Sequence, residues 1–353
     1  MTMDLDDPGI YDALDPSRLR IRLRTMAEQC RKGWDIVPVP ALPDGYRDVT
    51  RVVHFGMGGS AIAADYLQTV VSQAGGPPVD VYRGYEYTGP LDDNTLVIGS
   101  SYSGNTEETL SAFDPSLPGC KVAVTAGGRL EEIATDHGIP VYGIDIVSEP
   151  RAALGYCLFT LLSCVNELGL VEGLERDVEE AIDVVERLSG RYSETTPTED
   201  NRAKTLAWQM MENLIVVYAG DIFSCVARRW KTQLNENGKS WAFCETLPEA
   251  GHNAVEGLER PGTISDLTHA VLLTSDSMDE RLRPACDGIA ELLNRSGVGH
   301  SAVEAEGESA LAQIMSLTVL GDYASYYLGL LYGADPSPVP RINALKAMIE
   351  EAS

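Results

Sequence analysis

Along the first half of the chain, short β-branched and apolar runs recur at intervals: RVVHF (51–55), PVDVY (78–82), TLVIGS (95–100), KVAVTA (121–126) and IPVYGI (139–144). Segments of helical spacing stand between them, among them Ser60 to Ser72 and a stretch from Asn105 to Phe113. This alternation predicts βαβ units and a parallel, doubly wound α/β sheet flanked by helices. A helix over 16–32 and a proline-rich connector, PVPALPDGY, precede the first run. A long apolar helix over 151–169 and a charged one near 173–190 close this half.

The polar segment SGRYSETTPTEDNRA (189–203) is the predicted linker. Beyond it the pattern restarts, with NLIVVYAG (213–220), WAFCET (241–246), HAVLLTS (269–275) and GHSAVEAEG (299–307) as strands and helices between them. The order of elements is the same in both halves, without a close sequence repeat. The expected organisation is an N-terminal helical extension over 1–40, a first domain over 41–192 and a second over 203–353.

Size agrees with two domains, because 353 residues exceed the usual span of one hydrophobic core. Charge narrows the partners: 27 Lys and Arg against 53 Asp and Glu give a formal charge of -26, which argues against nucleic acid. Any phosphate ligand must therefore be held by local groups that overcome the global field. The seven cysteines, at 30, 120, 157, 164, 225, 244 and 286, form no C-x-x-C pair and read as reduced, mostly buried thiols of a cytoplasmic protein. The acidic N-terminus lacks the apolar core of a signal peptide, and no run of about eighteen apolar residues predicts a membrane span. The five histidines, at 54, 137, 252, 269 and 300, show neither H-x-H nor H-E-x-x-H spacing, so no metal is expected.

Two loops carry the candidate chemistry of the first half. VVHFGMGGSAIAADYL (52–67) is a strand, a glycine turn at Gly56, Gly58 and Gly59, and a helix opened by Ser60. Bare backbone there lets a ligand approach free N–H groups, and the helix N-terminus favours an anion. It is neither G-x-G-x-x-G, since Ala61 stands where the last glycine belongs, nor a Walker A loop, since no lysine follows; an ordinary βα turn is the plain alternative. GSSYSGNTEETL (99–110) repeats the layout with hydroxyls at Ser100, Ser101, Ser103 and Thr106. Glu107 and Glu108 suit a first helical turn that Thr106 to Thr109 could cap, yet so many hydroxyls exceed what capping needs. Two such loops at the carboxyl ends of strands of one sheet favour a compact phosphate monoester.

GMGGSA, SYSGNTEET and the later LNENGK resemble the marks of the sugar isomerase (SIS) superfamily, most specifically the bifunctional phosphoglucose/phosphomannose isomerases. The resemblance spans nearly the whole chain as two SIS domains. It implies that Ser101, Ser103 and Thr106 hold a sugar 6-phosphate, with Gly58, Gly59 and Ser60 lining the site. Moving a proton between C1 and C2 of an aldose or ketose phosphate needs a carboxylate that reaches both carbons, and ring opening needs a second acid or base. By the same resemblance Glu236 is the enediol base and His252 helps open the ring; in this family that histidine comes from the neighbouring subunit of a homodimer. Arg151, in SEPRAALG, matches the arginine facing the developing enediolate. Lys346 of the last helix matches a lysine that reaches the ring oxygen, and Ser337 stands for a position that accommodates both C2 epimers.

Each of these residues also has a plainer reading. Glu236 between two asparagines is a solvated or capping residue, His252 a turn residue, Arg151 an ion-pair partner and Lys346 a surface charge. The expected activity is interconversion of glucose 6-phosphate and mannose 6-phosphate with fructose 6-phosphate, through a cis-enediol, with no metal or cofactor. The rivals are a non-catalytic sugar-phosphate sensor, for which no helix-turn-helix segment is evident, and an isomerase for another sugar phosphate.

Overall fold

A computed structural model describes residues 3–145 and 148–352. The chain opens on three helices, α1 (Gly9–Leu14), α2 (Leu19–Arg24) and α3 (Met26–Asp35). A first α/β series follows: β1 (Arg51–Gly56), α4 (Gly58–Gln73), β2 (Val79–Tyr82), β3 (Thr95–Ser101), α5 (Glu107–Ala112), β4 (Cys120–Thr125), α6 (Gly128–Asp136), β5 (Val141–Gly143), α7 (Leu154–Glu167) and α8 (Leu174–Arg191). The second comprises α9 (Arg202–Met210), β6 (Leu214–Gly220), α10 (Ser224–Glu236), β7 (Ala242–Leu247), β8 (Thr268–Thr274), α11 (Leu282–Arg295), β9 (Gly299–Glu304), α12 (Ala310–Leu331) and α13 (Pro340–Ala352).

Both sheets are parallel throughout. Their orders are β2-β1-β3-β4-β5 and β7-β6-β8-β9, so each sheet starts near its middle and winds outward in both directions. Winding reverses between β1 and β3 in one sheet and between β6 and β8 in the other; such reversals open a crevice at the carboxyl ends of the strands. β3 is buried along its whole length, as a central strand covered on both faces must be. One face carries Val53, Phe55, Val97 and Ala123, packed against Phe113 and Leu130. In the second sheet the edge strand β7 and its approach leave Trp241 and Phe243 exposed, with ring centroids 5.2 Å apart.

Contacts divide the chain into two compact units that do not follow chain order. One consists of Arg24–Ser189 with Ala305–Leu317; the other takes the residues through Leu23, Gly190–Glu304 and those from Thr318 on. The N-terminal segment is fastened into the latter: the Lys204 ammonium, fully buried, donates to the Leu5 carbonyl at 2.8 Å and to Asp6 at 2.9 Å, and the Tyr326 hydroxyl donates to Asp15 at 3.0 Å.

Three local readings change. The helix expected over 16–32 breaks at Thr25, whose φ of -93° and ψ of 16° separate α2 from α3, and Asp15 takes the amide of Leu19 at 2.7 Å. The polar segment 189–203 begins where the two units divide, between Ser189 and Gly190, but it is anchored: Tyr192, Ser193 and Asn201 are buried, and the Asn201 side chain caps α9 through the amides of Ala203 and Lys204. The helix after the hydroxyl loop starts at Glu107 rather than near Asn105. Among the described residues no helix is long and apolar enough to cross a membrane.

Candidate active site

In the unit built on the five-stranded sheet, the register sets Gly56 beside Ser100 and Ser101 beside Thr125, so the glycine turn and the hydroxyl loop leave adjacent strand ends. Met57 is the N-cap of the sixteen-residue α4 and its carbonyl takes the amides of Ser60 and Ala61, which leaves the Gly58 and Gly59 amides at the helix mouth. Gly58 has φ +51°, and a Cβ on Gly59 would stand 2.8 Å from the Pro150 carbonyl oxygen. That close approach brings the glycine turn against Pro150 and Arg151, which belong to a short 3-10 turn ahead of α7; Arg151 is buried. Ser60 is buried and Gly58 exposed.

Thr106 is the N-cap residue of α5 but makes no side-chain cap bond. Its hydroxyl lies 2.8 Å from that of Ser101, which also receives the Thr106 amide at 3.4 Å. Capping is therefore not what these hydroxyls do. Ser101 is buried at the strand end, while Ser103 is exposed at the loop tip and takes the Asn105 amide at 3.3 Å. Behind the tip, Gly104 (φ +68°) packs so closely that a Cβ would reach 1.7 Å from the Gly127 carbonyl oxygen. The loop is thus backed by the end of β4 and held in one shape.

His54 lies beneath the turn, two residues before Gly56, and neither ring nitrogen has a hydrogen-bond partner among the described residues. Burial, with the Arg83 guanidinium nearby, holds the imidazole down to about 3, so it is neutral at working pH. Arg83 pairs with Asp65 of α4 at 2.6 Å. Nothing in the sequence pattern distinguished His54 or Arg83.

The other unit holds the remaining residues. Glu236 ends α10 half-buried, between Asn235, which donates to the Ser240 carbonyl at 2.9 Å, and Asn237, which donates to the Ser325 hydroxyl at 3.2 Å. Two turns upstream, Arg229 makes a buried two-bond contact with Asp322 of α12, Nε at 3.0 Å and Nη2 at 2.7 Å, and Gln233 adds a third bond at 3.0 Å. The helix bearing Glu236 is therefore locked against α12. Glu236 lines a cavity of about 140 Å³ together with Lys239, Pro338, Arg341 and Ile342. Ser337, buried, lies in the adjoining segment, its amide taken by Asp335 at 2.9 Å.

His252 is exposed at the end of a 3-10 turn (Glu249–His252), and Lys346 is exposed on α13, one turn beyond Ile342. Among the described residues no group of three or more His, Cys, Asp or Glu side chains could hold a metal ion.

Residues 199–349 match the profile of the bacterial phospho-glucose isomerase C-terminal SIS domain, and residues 45–117 match that of the SIS domain. The chain is 38% identical to a bifunctional phosphoglucose/phosphomannose isomerase of Caldicellulosiruptor bescii over 92% of its own length and 97% of that protein. It is 33% identical to one of Aquifex aeolicus, over 85% and 90%. A glucose-6-phosphate isomerase like protein from Thermus thermophilus has the same fold, with TM-score 0.67 and 23% identity over 96% of this chain and 98% of that one. With both SIS profiles and this degree of identity along nearly its whole length, the chain belongs to the bifunctional phosphoglucose/phosphomannose isomerase family and is an isomerase.

Proposed function

We propose that the protein interconverts glucose 6-phosphate and mannose 6-phosphate with fructose 6-phosphate. Ser101, Ser103 and Thr106 grip the phosphate, helped by the amides at Gly58 and Gly59 and by Ser60. Glu236 takes the C2 proton of the open-chain aldose; the C–H pair forms the C1–C2 double bond and the C1 oxygen receives a proton, giving a cis-enediol. Returning the proton to C1, as the C2 hydroxyl proton leaves, gives the ketose. In reverse, protonation of C2 on one face or the other gives one aldose epimer or the other. His252 assists ring opening, Lys346 the ring oxygen, Arg151 stabilises the enediolate, and Ser337 borders the C2 region. No step passes through a metal. In this reading the enzyme is a homodimer whose His252 serves the neighbouring subunit.

What carries the proposal is the Ser101–Thr106 hydroxyl pair, turned from capping into a loop beside a glycine-lined helix mouth. It gives a strongly acidic protein a way to hold phosphate. Free thiols at all seven cysteines suit a reducing cytoplasm. A second reading follows from a D-glucosamine-6-phosphate 4-epimerase of Sulfolobus acidocaldarius, 31% identical over 60% of this chain and 65% of that protein.

The test is a coupled assay on fructose 6-phosphate, with each aldose measured separately, beside glucosamine 6-phosphate and with EDTA. Both aldoses should form, and EDTA should leave the rate intact. Glu236→Gln should lose about 10²–10⁴ in kcat. Absence of both aldoses with turnover of glucosamine 6-phosphate would select the second reading.

A further inference from the structure

Lys239 stands where no assigned role reaches, yet its geometry is among the most constrained near Glu236. The residue before it, Gly238, sits so close to α10 that a Cβ would lie 2.7 Å from the Leu234 carbonyl oxygen. Lys239 itself has φ +54°, a left-handed conformation that costs a non-glycine residue on the order of 1 kcal/mol. This turn folds its side chain back over the end of the helix.

There the ammonium donates three hydrogen bonds: to the Glu236 carbonyl at 2.5 Å, the Pro336 carbonyl at 3.0 Å and the Pro338 carbonyl at 2.6 Å. An ammonium has three N–H groups, one for each of these backbone oxygens. Prolines at 336, 338 and 340 remove three amides from the opposing segment, which therefore has little means of pairing itself and is fastened by a donor from outside. The two tethered carbonyls straddle Ser337, and the same segment continues into Pro338, Arg341 and Ile342, which share the cavity with Glu236.

We propose that Lys239 is a positioning residue that fixes the spacing between the Glu236 carboxylate and the 336–342 wall of its cavity, and so sets the ratio in which the two C2 epimers form. The inference rests on the reading of Glu236 as the base. Reprotonation of C2 from one face or the other depends on where that carboxylate stands against the wall the sugar rests on. Loosening the tether changes this placement without removing a reacting group. The helix end and the segment are neutral carbonyl partners, so what the tether needs is a cation with several donors, a condition arginine meets in part.

The experiment measures the ratio of mannose 6-phosphate to glucose 6-phosphate formed initially from fructose 6-phosphate, with kcat and KM, for the wild type, Lys239→Met, Lys239→Arg and Glu236→Gln. A product ratio does not depend on how much of the sample is folded. Lys239→Met should shift it by roughly threefold or more and lower kcat on the order of 10–100-fold, with KM changed much less. Lys239→Arg should recover part of both effects. If Lys239→Met folds poorly, Lys239→Gln gives the same reading, because the ratio reports on its active fraction alone. An unchanged ratio in the Met or Gln variant overturns the proposal, even where total activity falls. Should the wild type form neither aldose, or Glu236→Gln keep the full rate, the reading of the base fails and the proposal falls with it.

Discussion

The hydroxyl of Thr106 faces that of Ser101 at 2.8 Å instead of closing the first turn of α5, although Thr106 occupies the N-cap position. A hydroxyl that caps a helix cannot be removed without weakening the helix. One that points into a loop can. Thr106→Ala and Ser103→Ala should raise KM roughly 10-fold or more while kcat falls much less, the loss expected of a hydrogen bond to a charged group. Steady-state kinetics on fructose 6-phosphate decides it; a fall in kcat at constant KM would return the loop to the chemistry.

Two glycines of the same crevice should behave differently when given a methyl group. Both have positive φ, but Gly58 has open space around its missing Cβ, whereas that of Gly104 would meet the Gly127 carbonyl at 1.7 Å. Gly58→Ala should cost about 1–2 kcal/mol of backbone strain. Gly104→Ala adds a backbone collision and should cost about 3 kcal/mol or more. Urea unfolding of the two variants would separate them, and equal losses would contradict the packing behind the loop.

The bond pair between Arg229 and Asp322 should matter far more when half of it is removed than when all of it is. Both groups are buried, and Arg229→Ala leaves a carboxylate with the Gln233 amide but no counter-charge, which costs about 3–5 kcal/mol. Replacing the pair together, Arg229→Met with Asp322→Leu, should recover most of that loss. Denaturant midpoints for the single and double variants test it. Because this contact anchors α10 upstream of Glu236, the single variant should also lose kcat at temperatures where it stays folded.

Acid should weaken the fold through His54. Its folded value, about 3, lies below the ordinary imidazole value near 6.5. Between the two, the unfolded chain binds the proton and the folded chain does not, so stability is full above about pH 6.5 and is lost as pH falls. By pH 5 the loss is about 2 kcal/mol. His54→Leu should flatten the slope of stability against pH in this window, with Arg83 and Asp65 left in place. His269, which burial first and then the His300 and Arg202 charges hold down to about 4, should preserve part of the slope. An unchanged slope in the variant would mean that His54 is already solvated in the folded state.

The strands were legible because each is a compact β-branched run bounded by turn residues: eight of the nine runs match their strands to within a residue or two, and the last, 299–307, holds a strand that stops at Glu304. GMGGS and SYSGNT were legible as loops at the carboxyl ends of neighbouring strands, because a glycine or hydroxyl run directly behind an apolar run marks where the strand stops. What the Thr106 hydroxyl does was not legible: its residue type fits capping and ligand binding alike, and it is the missing side-chain cap bond that removes the first. Lys239 stood inside a motif quoted for its neighbours, but two of the three carbonyls it holds lie about a hundred residues away and leave no periodic trace. The break at Thr25 escaped because apolar spacing continues through it, while the caps that divide the helix are geometric.

The allocation of chain to the two units has a consequence for how the protein is made. Asp15 and the other residues through Leu23 leave the ribosome long before the rest of their unit, since the Tyr326 hydroxyl that Asp15 accepts is made 311 residues later. At about 5–20 residues per second that is a wait of roughly 15–60 s. The unit that starts at Arg24 is likewise unfinished until Leu317 has been added. Nascent chains halted anywhere before residue 317 therefore carry neither unit whole, and during elongation Leu5, Tyr11 and Leu19 travel without their burial partners. Protection of that leading segment falls to whatever receives the chain at the exit tunnel.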